Sequence, residues 1–598
     1  MSDPRLYRAA LIPVLFALVL LAFSLENRDR PLTTSLAPDA FATDRAFDRA
    51  YAPGTGLATR FAERRPGSAG DEALAAEVEA QLRSAGGFRV RSTVHEGETI
   101  DGRRALRTVI AERPGTVDER VVVVAHRDAA GTRADAELSA TAVLLELGRV
   151  FGAPRRTQRT LTLVSTSGGS GGAAGAAALA DDLRGPFAGV LVLGDLASRR
   201  ARGPLLAPWS NRLGATPQRL RRTLQEALRQ ETGSGTRQPR ALSQFARFAM
   251  PATYGEQGVL LARGLPAVTL SIAGDRPPPA GGAISRARMG VLGRVALRTV
   301  TALDGAPRGQ PASPQASSRD LVTSRKVLPG WAVRLFVGAL LLAPLIVAVD
   351  ALAAVRRARE PFLIWLRWTL LSALPLIVTA LFAIALGAVG LLQATPSAPA
   401  PPEALPVQTP ALLAVALVLV LCWVWLRPVL LRITASDGDP SSPAAGVAVL
   451  LVAVLATIVV WAGNPYAAAA LVPALHIWLF ALASELRMRR VLRVALAALG
   501  IVPVVLVAAV VARALGLGPL DAVWEALLLV AGGHVSVLSV VLWSLLAGCA
   551  AGGVLIAVRG AAPVSGPHQP ITVRGPRSYA GPGSLGGTES ALRRSTAR

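Results

Sequence analysis

At 598 residues, 52% hydrophobic and formally +24 at pH 7, the chain has the charge of a nucleic-acid binder but not its composition: its 63 basic residues include a single lysine, Lys326. Arginines set in short loops beside long apolar segments read as membrane-topology signals, so a membrane is the expected partner and nucleic acid is not. Cys422 and Cys549 both fall in apolar segments, which leaves the polar region without a disulfide or Cys-ligated zinc, and His95 and His126 are the only histidines between residues 26 and 330.

Residues 1–8 are a short cytoplasmic start, and 9–25 (AALIPVLFALVLLAFSL, after Arg5 and Arg8) are just long enough to span a bilayer. No small-x-small cleavage pattern follows, which predicts an uncleaved anchor; a cleaved signal peptide is the alternative. Residues 26–303 alternate helix-like and strand-like segments, the pattern of an α/β domain around a largely parallel sheet. The periodicity predicts a helix over 71–85 ended by Gly86-Gly87, a strand pair turning at Asp101-Gly102, and a strand from Val121. It continues with a helix from about Asp135, a strand over 161–166, a helix near 173–183 and a strand over 189–194. An Arg-rich amphipathic helix around 217–230, a strand over 267–271 and a helix over 287–303 complete the unit.

Residues 304–329 have the composition of a linker, and 330–558 that of a membrane domain. Apolar runs at 335–355, 369–392, 411–426, 444–463, 467–483, 494–511 and 536–558, together with the anchor, predict eight spans, with 522–533 as a re-entrant or interfacial half-helix. Arg356, Arg357, Arg359 and Arg367, then Arg427 and Arg432, then Arg487, Arg489, Arg490 and Arg493 mark alternate loops, whereas the 394–410 loop has no Lys or Arg. That alternation predicts a multi-pass protein of the cell membrane with both termini cytoplasmic and the α/β domain outside. The Gly/Pro/Ser-rich basic tail, 559–598, is expected to be disordered and cytoplasmic. Asp350, His476, Glu525 and His534 are the ionisable candidates within the apolar region; interfacial solvation or an interhelical hydrogen bond accounts for them as well as transport does.

The stretch that carries chemistry is VVVVAHRDAAGTRADAELSATAVLLELGRVF, Val121–Phe151. A buried strand ending in His126 and Asp128 and passing through a loop into a helix is where α/β sheets place ligands and metals; a hydrogen-bonded pair kept for packing is the structural alternative.

With Arg65-Pro66-Gly67-Ser68 ahead of a helix, VVVVAHRD, and the strand in ARGLPAVTL (Ala262–Leu270), residues 45–303 resemble the zinc exopeptidases of metallopeptidase family 28, in particular a membrane-embedded branch with one anchor, an outer domain and many C-terminal spans. The resemblance implies a zinc-exopeptidase-like α/β sandwich and a site of two zinc ions held by two histidines, a bridging aspartate and two further carboxylates, with a glutamate as base. His126 matches a metal histidine, Asp128 the aspartate that orients it, and Asp195 a carboxylate ligand. The remaining positions are degenerate: Ala136 falls at the bridging aspartate, Gly169 at the base, Ser170 at the adjacent ligand and Gln257 at the last histidine. Asp135 and Glu137 flank Ala136 and Glu256 flanks Gln257, so a single-metal site from His126, Asp195 and Asp135 stays open, without an evident base. The expectation is a domain that has lost hydrolysis and binds a peptide or cell-envelope ligand, with no cofactor. An active zinc aminopeptidase with relocated ligands is one alternative, and a transport or assembly protein whose bundle carries the function is the other. Oligomeric state is not legible.

Overall fold

The computed structural model describes residues 4–33, 40–131, 135–153, 156–200, 205–233, 239–276, 281–307, 317–392, 396, 398–436, 442–483 and 488–559. The basic tail from residue 560 and the linker residues 308–316 lie outside these. Ten strands follow one another along the described chain: β1 (Glu26–Asn27), β2 (Arg89–Thr99), β3 (Gly102–Arg113), β4 (Val117–His126), β5 (Arg159–Thr166), β6 (Phe187–Leu193), β7 (Leu206–Ala207), β8 (Ala267–Leu270), β9 (Leu321–Val322) and β10 (Lys326–Leu328). The alternation of apolar and polar residues on either side of Asp101-Gly102 makes β2 and β3 an antiparallel hairpin, with Thr99 opposite Gly102.

Seven of the strands form one mixed sheet in the order β2-β3-β5-β4-β6-β8-β7. The continuous valine run of β4 is explained by its place in the middle, parallel to β5 on one side and β6 on the other. Val121, Val123 and Ala125 pack into the core under the Leu138–Gly152 helix, while Val122 and Val124 pack with Leu179 under the Ala174–Asp182 helix. A strand covered on both faces needs no polar alternation, and each buried valine contributes roughly 1.5–3 kcal/mol. The fold is thus the α/β class, a mixed sheet with a parallel centre (β5-β4-β6-β8) and antiparallel edges rather than the largely parallel one expected, joined to an α-helical membrane domain.

The Arg-Pro-Gly-Ser stretch serves as a helix start. Ser68 caps the Ala69–Ser84 helix by accepting from the Asp71 amide, while Asp71 Oδ2 accepts from the Gly67 amide, a reciprocal capping arrangement. Asp71 Oδ1 also lies 2.8 Å from Arg127 Nε, and both side chains are fully buried. Arg127 donates further to the carbonyls of Arg107 and Ser165, so one guanidinium ties helix, hairpin and sheet together directly beside His126.

Among the described residues seven helices are long and apolar enough to cross a membrane, Arg5–Phe23 first and Val537–Arg559 last. The expected span at 467–483 is the shorter Pro465–Ala481 helix of 17 residues, and the expected half-helix is Pro519–Ala531. The α/β domain is docked on the bundle. Asn464 Nδ2 donates to the Phe248 carbonyl at 2.8 Å, the Phe248 and Tyr466 rings lie 4.9 Å apart, and Arg276 donates to the Arg513 and Ala514 carbonyls. Residues 317–329, linker-like in composition, contain β9 and β10; β10 pairs antiparallel with β1, which brings the exit of the anchor beside the Gly330–Arg357 helix.

Candidate functional site

Parallel pairing aligns the C-terminal ends of β4, β5 and β6, and most of the site's polar side chains gather there, from these strand ends and from the Glu256–Ala262 helix. His126 ends β4 opposite Thr166 of β5, Asp195 follows β6, and Glu256 opens the Glu256–Ala262 helix. A tight 3-10 turn, Asp135–Glu137, precedes the Leu138–Gly152 helix and presents Glu137. These residues enclose a cavity of about 70 Å³ walled by His126, Glu137, Ser170, Asp195, Glu256 and, from the membrane domain, Pro401. That volume suits one or two water molecules or a small cation and is several-fold below what a peptide residue with its neighbours needs.

Among the described residues, the cavity collects buried polar atoms that have no hydrogen-bond partner: His126 Nε2, Glu137 Oε2, Ser170 Oγ, Asp195 Oδ2, Tyr254 OH and Glu256 Oε2. Asp195 and Glu256 are each anchored through their other oxygen. Thr166 donates to Glu256 Oε1 at 2.6 Å, the Ala197 and Ser198 amides donate to Asp195 Oδ1 at 2.9 Å, and His126 Nδ1 lies 3.9 Å from Glu256 Oε2. Burial raises the pKa of Glu137 to about 7 and pushes those of Asp195 and Glu256 upward. Burial alone would lower that of His126, but the carboxylates of Asp128, Glu256 and Glu137 outweigh it and the imidazole pKa rises. The cluster is therefore built to share protons or to hold positive charge.

The structure brings His126, Asp195, Gly169 and Ser170 together and adds Glu137 and Glu256, which the sequence shows only as neighbours of the aligned positions. Asp128 does not orient the imidazole: its two carboxylate oxygens accept from the Gly169 and Ser170 amides, each at 3.0 Å. Asp135 stays outside the cavity wall, its carbonyl accepting from Tyr51 OH, and Ala136 is buried in the same 3-10 turn with its carbonyl accepting from Ser139. Gln257 is turned away as well, its Oε1 accepting from Thr269 and its Nε2 donating to Thr253 at 3.0 Å and toward Asp275. At Gly169 a Cβ would stand 2.3 Å from His126 Cβ and 2.4 Å from Cγ, so the imidazole fills the space that any side chain there would need.

The membrane candidates separate by environment. Tyr7 of the anchor bonds His476 Nδ1 at 2.8 Å, and the Leu340 carbonyl lies 3.2 Å from Nε2, so both ring nitrogens are engaged between helices. Asp350 is half-buried near the end of the Gly330–Arg357 helix, and His534 lies in an exposed turn before the last helix. Glu525 is buried, and its Oε1 accepts from the Ala400 amide at 3.1 Å, in the loop that roofs the cavity.

Residues 108–247 match the family model described as Peptidase family M28. Similar solved structures include a Porphyromonas gingivalis glutaminyl cyclase, 17% identical, covering 44% of this chain and 99% of its own, with a TM-score of 0.32. Another is a Zn-dependent exopeptidase from Parabacteroides distasonis, 14% identical, covering 44% and 99%, TM-score 0.29. The LapA aminopeptidase of Legionella pneumophila is 11% identical, covering 47% and 77%, TM-score 0.37. No curated protein matches the chain.

The two-zinc set that the family resemblance implies does not fit these residues. A buried methyl at Ala136 cannot bridge cations, Gly169 has neither an acceptor nor room for one, and Gln257 spends its amide elsewhere. Among the described residues no three His, Cys, Asp or Glu side chains are placed to hold a metal ion.

Proposed function

We propose that the peptidase-like domain of this membrane protein holds peptide rather than cutting it, that it lies on the extracytoplasmic side, and that its cleft is filled by the chain's own Pro-rich loop between the Phe362–Ala388 and Thr409–Leu421 helices. One observation carries this reading. Pro396, Ala398, Pro399, Ala400 and Pro401 belong to no helix or strand yet are all buried, and Pro401 walls the cavity beside His126 and Glu256.

The fit is supported from both sides. Ala398 packs in the same apolar cluster as Val122 and Val124. Gly171 and Gly172 admit the loop: a Cβ at Gly172 would stand 2.4 Å from Pro396 Cβ, and one at Gly171 3.2 Å from Ala400 Cβ. On the far side Glu525 holds the Ala400 amide while Trp524 and Leu528 pack with Ala404 and Leu405. A proline-rich segment loses little conformational entropy on docking, which suits it to this role. A peptide or envelope ligand from outside would compete with the loop, and its arrival would be felt by the Pro519–Ala531 helix.

The test is a full-length variant with residues 396–401 replaced by Gly and Ser, in detergent or nanodiscs. A labelled peptide of the 396–405 sequence should bind this variant and not the wild type, and neither protein should release amino acids from peptides in zinc-containing buffer. Wild-type hydrolysis lost in His126→Ala would overturn the proposal.

The four unpartnered atoms of His126, Glu137, Asp195 and Glu256 favour a second reading, an exopeptidase with relocated ligands, which requires those side chains to draw together. It predicts stoichiometric metal in the purified wild type and its loss in both Glu137→Ala and Glu256→Ala.

A further inference from the structure

A second cavity lies away from the α/β site, within the helical bundle. It measures about 550 Å³ and is walled by Trp423, Trp478 and Trp543 together with the small residues Gly500, Ala547 and Ala551. Two of its polar groups are engaged within the protein: Thr457 donates to the Ala453 carbonyl at 2.7 Å, and Trp478 Nε1 donates to the Ala497 carbonyl at 3.0 Å. Gly500 keeps the indole of Trp478 in place, since a Cβ there would stand 2.4 Å from its Nε1. The rest of the wall is almost wholly apolar, which suits a hydrocarbon occupant. Val424 and Trp425, beside Trp423, and Leu499, beside Gly500, are exposed on the outside of the bundle, the surface that faces hydrocarbon.

No charged side chain lines the cavity itself, but arginines gather beyond one end of the helices that wall it. Arg427 sits one turn beyond Trp423 and stacks on its ring at 5.3 Å and on that of Trp368 at 4.8 Å, while donating to Ser372 Oγ at 2.9 Å. Arg493 lies seven residues before Gly500, hence on the same side of the chain, about two turns nearer the helix start. Both arginines are buried. Arg432, Arg490 and Arg559 stand at helix ends, and the alternation of spans puts these at the same end of the bundle. In sequence, Arg487, Arg489, Arg490 and Arg493 face only Glu485. A guanidinium near hydrocarbon is retained where an anion can reach it, and its planar fork matches a phosphate.

We propose that this cavity is a binding site for an anionic phospholipid of the surrounding bilayer, with an acyl chain between the three tryptophans and the headgroup phosphate at the Arg427–Arg493 end. The apolar volume selects a hydrocarbon chain and the basic rim selects its headgroup; the site is independent of the peptidase-like cleft.

The test uses the full-length protein delipidated in detergent and titrated separately with dioleoyl phosphatidylglycerol and dioleoyl phosphatidylcholine, retained lipid being counted by native mass spectrometry. Retention should favour phosphatidylglycerol by roughly tenfold, the scale set by one or two arginines near an anionic headgroup. Arg493→Gln should reduce that preference, and the double variant Ala547→Leu, Ala551→Leu should abolish retention of either lipid. In parallel, chain-brominated phosphatidylglycerol should quench the tryptophan fluorescence of the unmutated protein more strongly than brominated phosphatidylcholine at equal mole fraction, a reading that does not depend on any variant folding. Equal retention and equal quenching by the two lipids would overturn the proposal, as would retention that survives filling of the cavity.

Discussion

Substituting Gly169 by alanine probes the tightest approach between the 168–170 backbone and His126. The new Cβ would fall 2.3 Å from His126 Cβ, which no rotamer change moves aside, and 2.4 Å from its Cγ. Overpacking of this kind costs about 1–3 kcal/mol. Any shift of the 168–170 backbone that relieves it also stretches the two amide bonds to the Asp128 carboxylate, each worth about 1.5–3 kcal/mol when made to a charged group. A net loss of about 3 kcal/mol is expected, or roughly 5–10 °C in the melting temperature of a domain this size. The assay is thermal unfolding of the full-length protein in detergent, run as a double-mutant cycle with His126→Gly, which removes the clashing Cβ as well as the imidazole. That removal should recover most of the loss, a coupling of at least about 1 kcal/mol. Additive single effects, or a Gly169→Ala protein as stable as wild type, would refute the placement of His126 in that space.

Three further outcomes follow from the same geometry. Glu137 has a folded pKa raised by burial to about 7 against 4.5 unfolded, so the folded state binds its proton more tightly and stability falls as pH rises through that window; Glu137→Gln should flatten the decline between pH 5 and 8, measured by melting temperature, and an unchanged slope would remove this residue as its source. Asp71→Asn leaves Arg127 buried without its counter-charge and should destabilise the α/β domain by about 3–5 kcal/mol, seen as lower resistance to proteolysis near the Ala69–Ser84 helix. Glu525→Ala should free the 396–405 loop, raising labelling of a cysteine placed at Ala400 by a water-soluble maleimide; protection equal to wild type would show that the loop is held without it.

The sequence shows the fold where a local period decides it. The valine run of β4, the hairpin turn at Asp101-Gly102 and the glycines that end the Ala69–Ser84 helix are each local signals, and their elements lie within a few residues of the expected places. Two of the cavity's carboxylates lie one residue from the positions that the sequence singles out. A 3-10 turn faces Glu137 inward in place of Asp135 or Ala136, and the Glu256–Ala262 helix faces Glu256 inward in place of Gln257, and no periodicity distinguishes neighbours by orientation. Long-range contacts left no local trace. The 394–410 loop reads only as a charge-poor connection, although part of it roofs a cavity whose other walls lie more than one hundred residues away in sequence. Asp128, placed beside an imidazole by the family resemblance, instead satisfies two amides of the chain after β5.

The bond between Tyr7 and His476 sets a problem of timing. Its partners are separated by 469 residues, and synthesis at roughly 5–20 residues per second puts about half a minute to a minute and a half between their appearances. Throughout that interval the Tyr7 hydroxyl lacks this partner, and the Gly330–Arg357 helix that its helix also touches has yet to be made for most of it. The apolar Arg5–Phe23 helix is thus made long before its seat is complete, which makes the growing protein dependent on whatever shelters a lone apolar helix until the Pro465–Ala481 helix arrives.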